Sequence, residues 1–172
     1  MASLMDTMIA VLFKEDEEYQ TLIKLSTEKT PIIIKGDLDE LAKITDKEQE
    51  VVGRIQKLEK LRIQTTKDIA DVTNHDPESL NLQELIKIME TRPVEQKKLR
   101  EVHDKLKMTM ANMIKINDQN RELLKNSLEM VEFEINLLQS MRQAPETGDY
   151  NKNAYNTGSI MGSGTKRFDA TQ

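Results

Sequence analysis

The chain has 172 residues, a length for one domain, and only 3% of them are aromatic while 32% are charged, with no tryptophan. Abundant Glu, Lys, Leu, Ile and Gln with so few aromatics favour an all-α, elongated helical bundle over a sheet protein or an enzyme with a deep pocket. The net charge of −5 and a pI near 5.2 come with dispersed Lys and Arg, so the chain lacks the clustered cations that track phosphates; no nucleic acid is expected as a partner, and any partner is protein.

The first predicted helix covers about residues 2–34, with Leu4, Met5, Met8, Val11, Leu12, Tyr19, Leu22, Ile23 and Leu25 making a broad apolar face. Its apolar run Met8 to Phe13 is too short for a membrane span, follows Asp6 and has no positively charged leader. A soluble, unprocessed chain without membrane insertion is therefore expected. Pro31 removes a backbone donor and crowds the preceding turn, which predicts a kink or break there. Ile32, Ile33 and Ile34 are read as a buried helical turn at that kink, since nothing strand-like occurs elsewhere to pair with them.

Gly36 is followed by Asp37 and, three places on, Glu40, the spacing of a capping box. A second helix is predicted over about residues 38–73. Leu41, Ile44, Glu48, Val51, Ile55, Leu58, Arg62, Thr65, Ile69 and Val72 alternate in steps of three and four along it, a heptad seam. Its polar members, Glu48, Arg62 and Thr65, are costly to bury alone, so that part of the seam is either wet or paired across the bundle.

Thr73 to Leu80 carries Asn, Asp and Pro together and reads as the clearest turn. Asn81 with Glu84 caps a short helix over about residues 82–90 that seals one end of the bundle. Thr91 is an N-cap candidate and Pro93 a first-turn proline for the long helix, about residues 93–142. The predicted topology is two helical segments running one way with the long helix returning antiparallel.

The long helix has a seam of Leu99, Val102, Leu106, Met110, Met113, Asn117, Asn120, Leu124, Leu128, Val131, Ile135 and Leu138. Asn117 and Asn120 on successive seam positions either fix register as buried amides or face water where the bundle thins. Met108, Met110, Met113, Met130 and Met141 are read as core filler, with an adaptable binding surface as the alternative. Beyond Asn120 the stripe widens to Leu123, Leu124, Leu128, Val131, Ile135, Leu137, Leu138 and Met141; it is either buried within the chain or left for an amphipathic helix of another protein.

From Ala144 the composition changes: four of the six glycines, Gly148, Gly158, Gly162 and Gly164, sit among Asn, Thr and Ser. The division expected is a helical bundle over residues 1–143 and a disordered tail over 144–172. Tyr150, Tyr155, Ile160, Met161 and Phe168 near Lys166 and Arg167 make the tail either a docking peptide or a solvated terminus.

Chemistry is sparse. With no cysteine there are no disulfides or thiolate sites, which fits a reducing cytoplasm. His75 and His103 are read as surface residues lacking the further ligands a metal site needs. No Glu-x-x-His pair, phosphate loop or positioned nucleophile occurs. No enzyme, metal or cofactor is expected.

Three stretches in order resemble the FlgN family of flagellar type III export chaperones. They are Gly36-Asp37-Leu38 through Leu41, Ile44, Thr45 and Lys47 to Leu58, Glu59 and Arg62; Asn117 and Asn120 with Leu123-Leu124 running to Leu137-Leu138; and Tyr155 with Gly158. The resemblance implies a cytoplasmic chaperone that binds the C-terminal helical region of hook-associated (hook-filament junction) proteins. It would prevent their premature assembly and deliver them to the flagellar export gate, a membrane protein. It places client binding on Leu123, Leu124, Leu128, Val131, Ile135 and Leu138, and export-gate docking on Tyr155. A monomer or weak dimer is expected. The alternative is a structural coiled-coil protein that satisfies its stripe by self-association.

Overall fold

A computed structural model describes residues 2–143. Among them the helices are α1 (Ala2–Lys35), α2 (Leu38–Thr73), α3 (Leu82–Ile88) and α4 (Pro93–Gln143), with a 3-10 turn, Met89–Thr91, ahead of α4. No strand occurs among the described residues, so the chain is all-α as its composition predicts. The expected tail, residues 144–172 with Tyr155, lies outside the described residues. Two compact units divide the chain, Met1–Phe133 and Glu134–Gln172.

In the first unit α1 runs without interruption through Pro31, and the expected break falls instead at Gly36. Pro31 is exposed and lies in the last turns of α1, so its ring meets solvent and only one helical bond is forfeited. Gly36 has φ 69°, a left-handed conformation that stops a helix at low cost only for glycine. Its N–H bonds back to the Ile33 carbonyl at 3.1 Å, and the Asp37 N–H to that of Ile32 at 3.3 Å. Asp37 then starts α2: extended, with its carboxylate accepting the Glu40 N–H at 3.1 Å, as the capping spacing predicts.

This turn reverses the chain. Ser26 and Lys29 bond Glu48, Glu18 pairs with Arg54, and Glu15 pairs with Arg62. Numbers fall along α1 as they rise along α2, so the two helices form an antiparallel hairpin. Between α1 and α4 both numbers rise together: Asp16 meets Thr109, and Ser26 meets Asn120. The predicted topology is corrected accordingly, with α4 running parallel to α1 and antiparallel to α2. The left-handed turn at Gly36, rather than the Asn-Asp-Pro stretch, makes the first reversal.

The main core gathers Met5, Met8, Ile9 and Leu12 of α1, Ile69 and Ala70 of α2, Leu85 and Ile86 of α3 and Leu99, Val102 and Leu106 of α4. Asn81 caps α3 by accepting the Glu84 N–H at 3.0 Å, and Gln96 Nε2 donates to the Ile86 carbonyl at 2.7 Å, tying α3 to α4. Thr91 belongs to the 3-10 turn, and Arg92 is the residue ahead of Pro93, so Thr91 is not adjacent to α4 as a cap must be. Toward the Gly36 turn the core narrows to Leu22, Val51 and Ile55, flanked by Tyr19, Leu25 and Met113.

The seam of α2 is buried at Ile44, Val51, Ile55, Thr65 and Ile69, while Val72 at its end is exposed. Its polar members are paired. Glu48 accepts from Ser26 Oγ at 2.7 Å and Lys29 Nζ at 2.8 Å; Arg62 meets Glu15 at 3.2 Å; Thr65 Oγ1 donates to the Leu61 carbonyl at 2.8 Å.

Candidate functional site

Two polar layers fix where α4 lies on α1. Asp16 is fully buried, and its carboxylate accepts from Thr109 Oγ1 at 2.6 Å, Gln20 Nε2 at 2.7 Å and Lys105 Nζ at 2.9 Å. Burial works against its charge, but the bonds from Lys105, Thr109 and Gln20 outweigh it and hold the carboxyl below its ordinary 3.8. One residue earlier the balance is opposite. Burial raises the Glu15 carboxyl above its ordinary 4.5, with Arg62 compensating only in part. Sequence reasoning missed both acids, since each stands beside the apolar stripe of α1 and looks like a solvated flank.

The second layer is Asn120, 4% exposed, whose Nδ2 donates to the Ser26 carbonyl at 2.7 Å while its Oδ1 accepts from Thr30 Oγ1 at 2.7 Å. Of the two seam asparagines only this one is buried; Asn117 is exposed. An amide satisfied on both ends fixes register between parallel helices.

Beyond Asn120 burial stops. The partners across α1 and α4 differ by 90, 93 and 94 positions, so α1, ending at Lys35, runs out roughly level with residues 125–129 at the common rise of the two helices. Leu123 and Leu124 are half-buried, whereas Leu128 and Val131 are 65% and 50% exposed. Met130 and Phe133 are exposed as well, at 65% and 66%. An open groove of about 790 Å³ borders this region, lined by Thr30, Ile114, Asp118, Glu122, Leu123 and Asn126. In the second unit, Ile135, Leu137, Leu138 and Met141 are all exposed.

Four of the five methionines of α4 depart from the expected filler role: Met108, Met110, Met130 and Met141 are exposed, while Met113 packs on the core. Phe133 is the residue missed in this stretch; its spacing of three from Met130 and four from Leu137 was the available signal. His75 is exposed and His103 half-buried beside Asp104. Among the described residues no group of three or more His, Asp and Glu is arranged to hold a metal ion, and no helix is long and apolar enough to cross a membrane.

Bare apolar side chains along a helix are the kind of surface that protein partners use. The comparisons with known proteins agree in kind. The family model described as FlgN protein matches residues 1–157, and the chain belongs to the FlgN family, a family of flagellar export chaperones rather than enzymes. It is also similar to the uncharacterized protein YvyG of Bacillus subtilis (strain 168), 27% identical over 120 residues that cover 70% of this chain and 71% of that protein. No solved structure matches it.

Proposed function

We propose that this protein is a cytoplasmic export chaperone that binds the C-terminal helical region of flagellar hook-associated proteins, keeps them from assembling early and delivers them to the flagellar type III export gate. The observation that carries this reading is the run of large apolar side chains on α4 from Leu128 on, each exposed in a chain of acidic, charged composition. The client helix lies along Leu123, Leu124, Leu128 and Val131 of the first unit; Ile135 and Leu138 of the second are assigned to client binding on the family resemblance. Burying several hundred Å² of apolar surface is worth on the order of 10 kcal/mol at about 25 cal/mol/Å², much of it offset by ordering costs. The remainder suits a complex that must release its client. Tyr155 is assigned to export-gate docking on the family resemblance.

The test is light scattering after size exclusion, with the chain alone and mixed with the C-terminal segment of a hook-associated protein from the same genome. A monomer or weak dimer that shifts to a defined heterocomplex is expected. A tight dimer indifferent to the segment would replace this reading with self-association. Tyr155→Ala is expected to keep client binding and weaken binding to the gate protein; unchanged gate binding removes that assignment.

A further inference from the structure

The bare part of α4 is apolar on two faces, and one client helix covers only one of them. At 100° per residue, Leu124, Leu128 and Val131 share one face, and Leu123, Met130 and Phe133 another roughly 140° around the helix. In the second unit Ile135 and Leu138 keep the spacing of the first set, and Leu137 and Met141 that of the second. An amphipathic helix docking on one partner needs an apolar arc of about 100°; the arc here is about twice that.

The charges around these faces are one-sided. Between Glu122 and Glu134 there are four glutamates, Glu122, Glu129, Glu132 and Glu134, against one lysine, Lys125. All five are exposed, and among the described residues none of the four glutamates forms an ion pair. By the same angular count Glu122 and Glu129 edge the Met130–Phe133 face, Glu132 edges the Leu128–Val131 face, and Glu134 falls between the two. A second copy of this chain would bring glutamates against glutamates. A partner with lysines and arginines beside its apolar stripes would be drawn in.

We infer that the client grips α4 from two sides: it contributes two amphipathic segments, each with basic flanks, one on the Leu124, Leu128 and Val131 face and one on the Met130 and Phe133 face. This rests on the client-binding reading above and adds the second face and the charge of the occupant. Both faces then contribute to affinity, and the glutamates make that affinity salt-dependent.

The experiment titrates the full chain with the C-terminal segment of a hook-associated protein, in three variants beside the unmodified chain and over a range of NaCl. Met130→Asp with Phe133→Asp, and separately Leu128→Asp with Val131→Asp, are each expected to weaken binding by about tenfold or more with helical circular dichroism unchanged. Binding should weaken as salt rises, and Glu129→Gln with Glu132→Gln should flatten that dependence. Full binding by the Met130/Phe133 variant, alongside loss in the Leu128/Val131 variant, overturns the two-sided grip and leaves the client reading standing. Full binding by both variants overturns the two together. Salt-independent affinity overturns the basic occupant. A dimeric chain made monomeric by Met130→Asp with Phe133→Asp, with client binding unchanged, assigns the second face to another copy and overturns the inference.

Discussion

Asn120 and Ser26, 94 positions apart, are joined by a 2.7 Å hydrogen bond from the asparagine Nδ2 to the serine carbonyl, at the last level where α4 is buried against α1. Thr30 holds the other end of the same amide. Asn120→Ala removes both bonds and leaves the half-buried Thr30 hydroxyl only its longer bond to the Ser26 carbonyl, at 3.3 Å. It is expected to cost about 1–3 kcal/mol of stability, read as a lower urea midpoint. A loss no larger than that of an exposed control, Asn117→Ala, would show that the amide is not holding the helices together.

Acid titration should separate Asp16 from its neighbour. The folded-state pKa of Asp16 is lowered, so its contribution is present above the unfolded value, ordinarily 3.8, and is lost as pH falls through the folded value. Asp16→Asn is therefore expected to be less stable than the unmodified chain at neutral pH, with the difference shrinking in acid. Glu15 has the reverse sign. Its raised pKa means that its contribution is complete below the ordinary 4.5 and is lost as pH rises through the folded value. Glu15→Gln should compare best with the unmodified chain at neutral pH and less well in acid. Parallel pH profiles for the two variants would contradict both assignments.

The two glycines of the described residues should respond oppositely to alanine. At Gly36 no neighbour lies within 4 Å of an added Cβ, but φ is +69°, so Gly36→Ala is expected to cost about 1 kcal/mol from backbone strain alone. Gly53 lies inside α2, also with nothing within 4 Å. Gly53→Ala should gain about 0.5–1 kcal/mol through helix propensity. Thermal melts of the pair decide this, and equal shifts would rule out the conformational explanation.

Leu128→Asp with Ile135→Asp should abolish client binding and leave the fold intact, because the two side chains are 65% and 48% exposed. The stability change expected for such exposed sites is within about 0.5 kcal/mol. Loss of helical circular dichroism in this variant would mean that the side chains are core.

The sequence made the helices legible because each carries its own local signal. The Asp37 and Asn81 caps form as their spacing to Glu40 and Glu84 predicts, and the three-four seam of α2 buries Val51, Ile55 and Ile69. Direction was not legible. Gly36, Asp37 and Glu40 signal a helix that starts near Leu38, but nothing local signals that the left-handed φ of Gly36 also turns the chain back on itself. Pro31 predicts a break, but an exposed proline in the last turns of a helix forfeits one bond without stopping it. Glu15 and Asp16 were hidden for a different reason: their burial depends on Arg62, Lys105 and Thr109, residues 47 to 93 positions away that no local pattern connects to them. In the candidate site, the heptad rule marked Leu128 and Val131 as apolar. Whether they were core or surface depended on where α1 ended, which their own spacing does not encode.

The position of the Gly36 turn therefore acts as a ruler. Because α1 and α4 advance at the same rise from a fixed offset, the hairpin length decides at which residue α4 loses its neighbours. Inserting one heptad before Gly36 and a matching one after Asp37 would carry the hairpin about 10 Å further and sheathe Leu128 and Val131 inside the chain. Removing the same pair would bare Asn120, an amide that water satisfies and that offers an apolar helix little. In sequences of this design, insertions and deletions near the turn would tune how much adhesive surface is on offer while every residue of α4 stays the same.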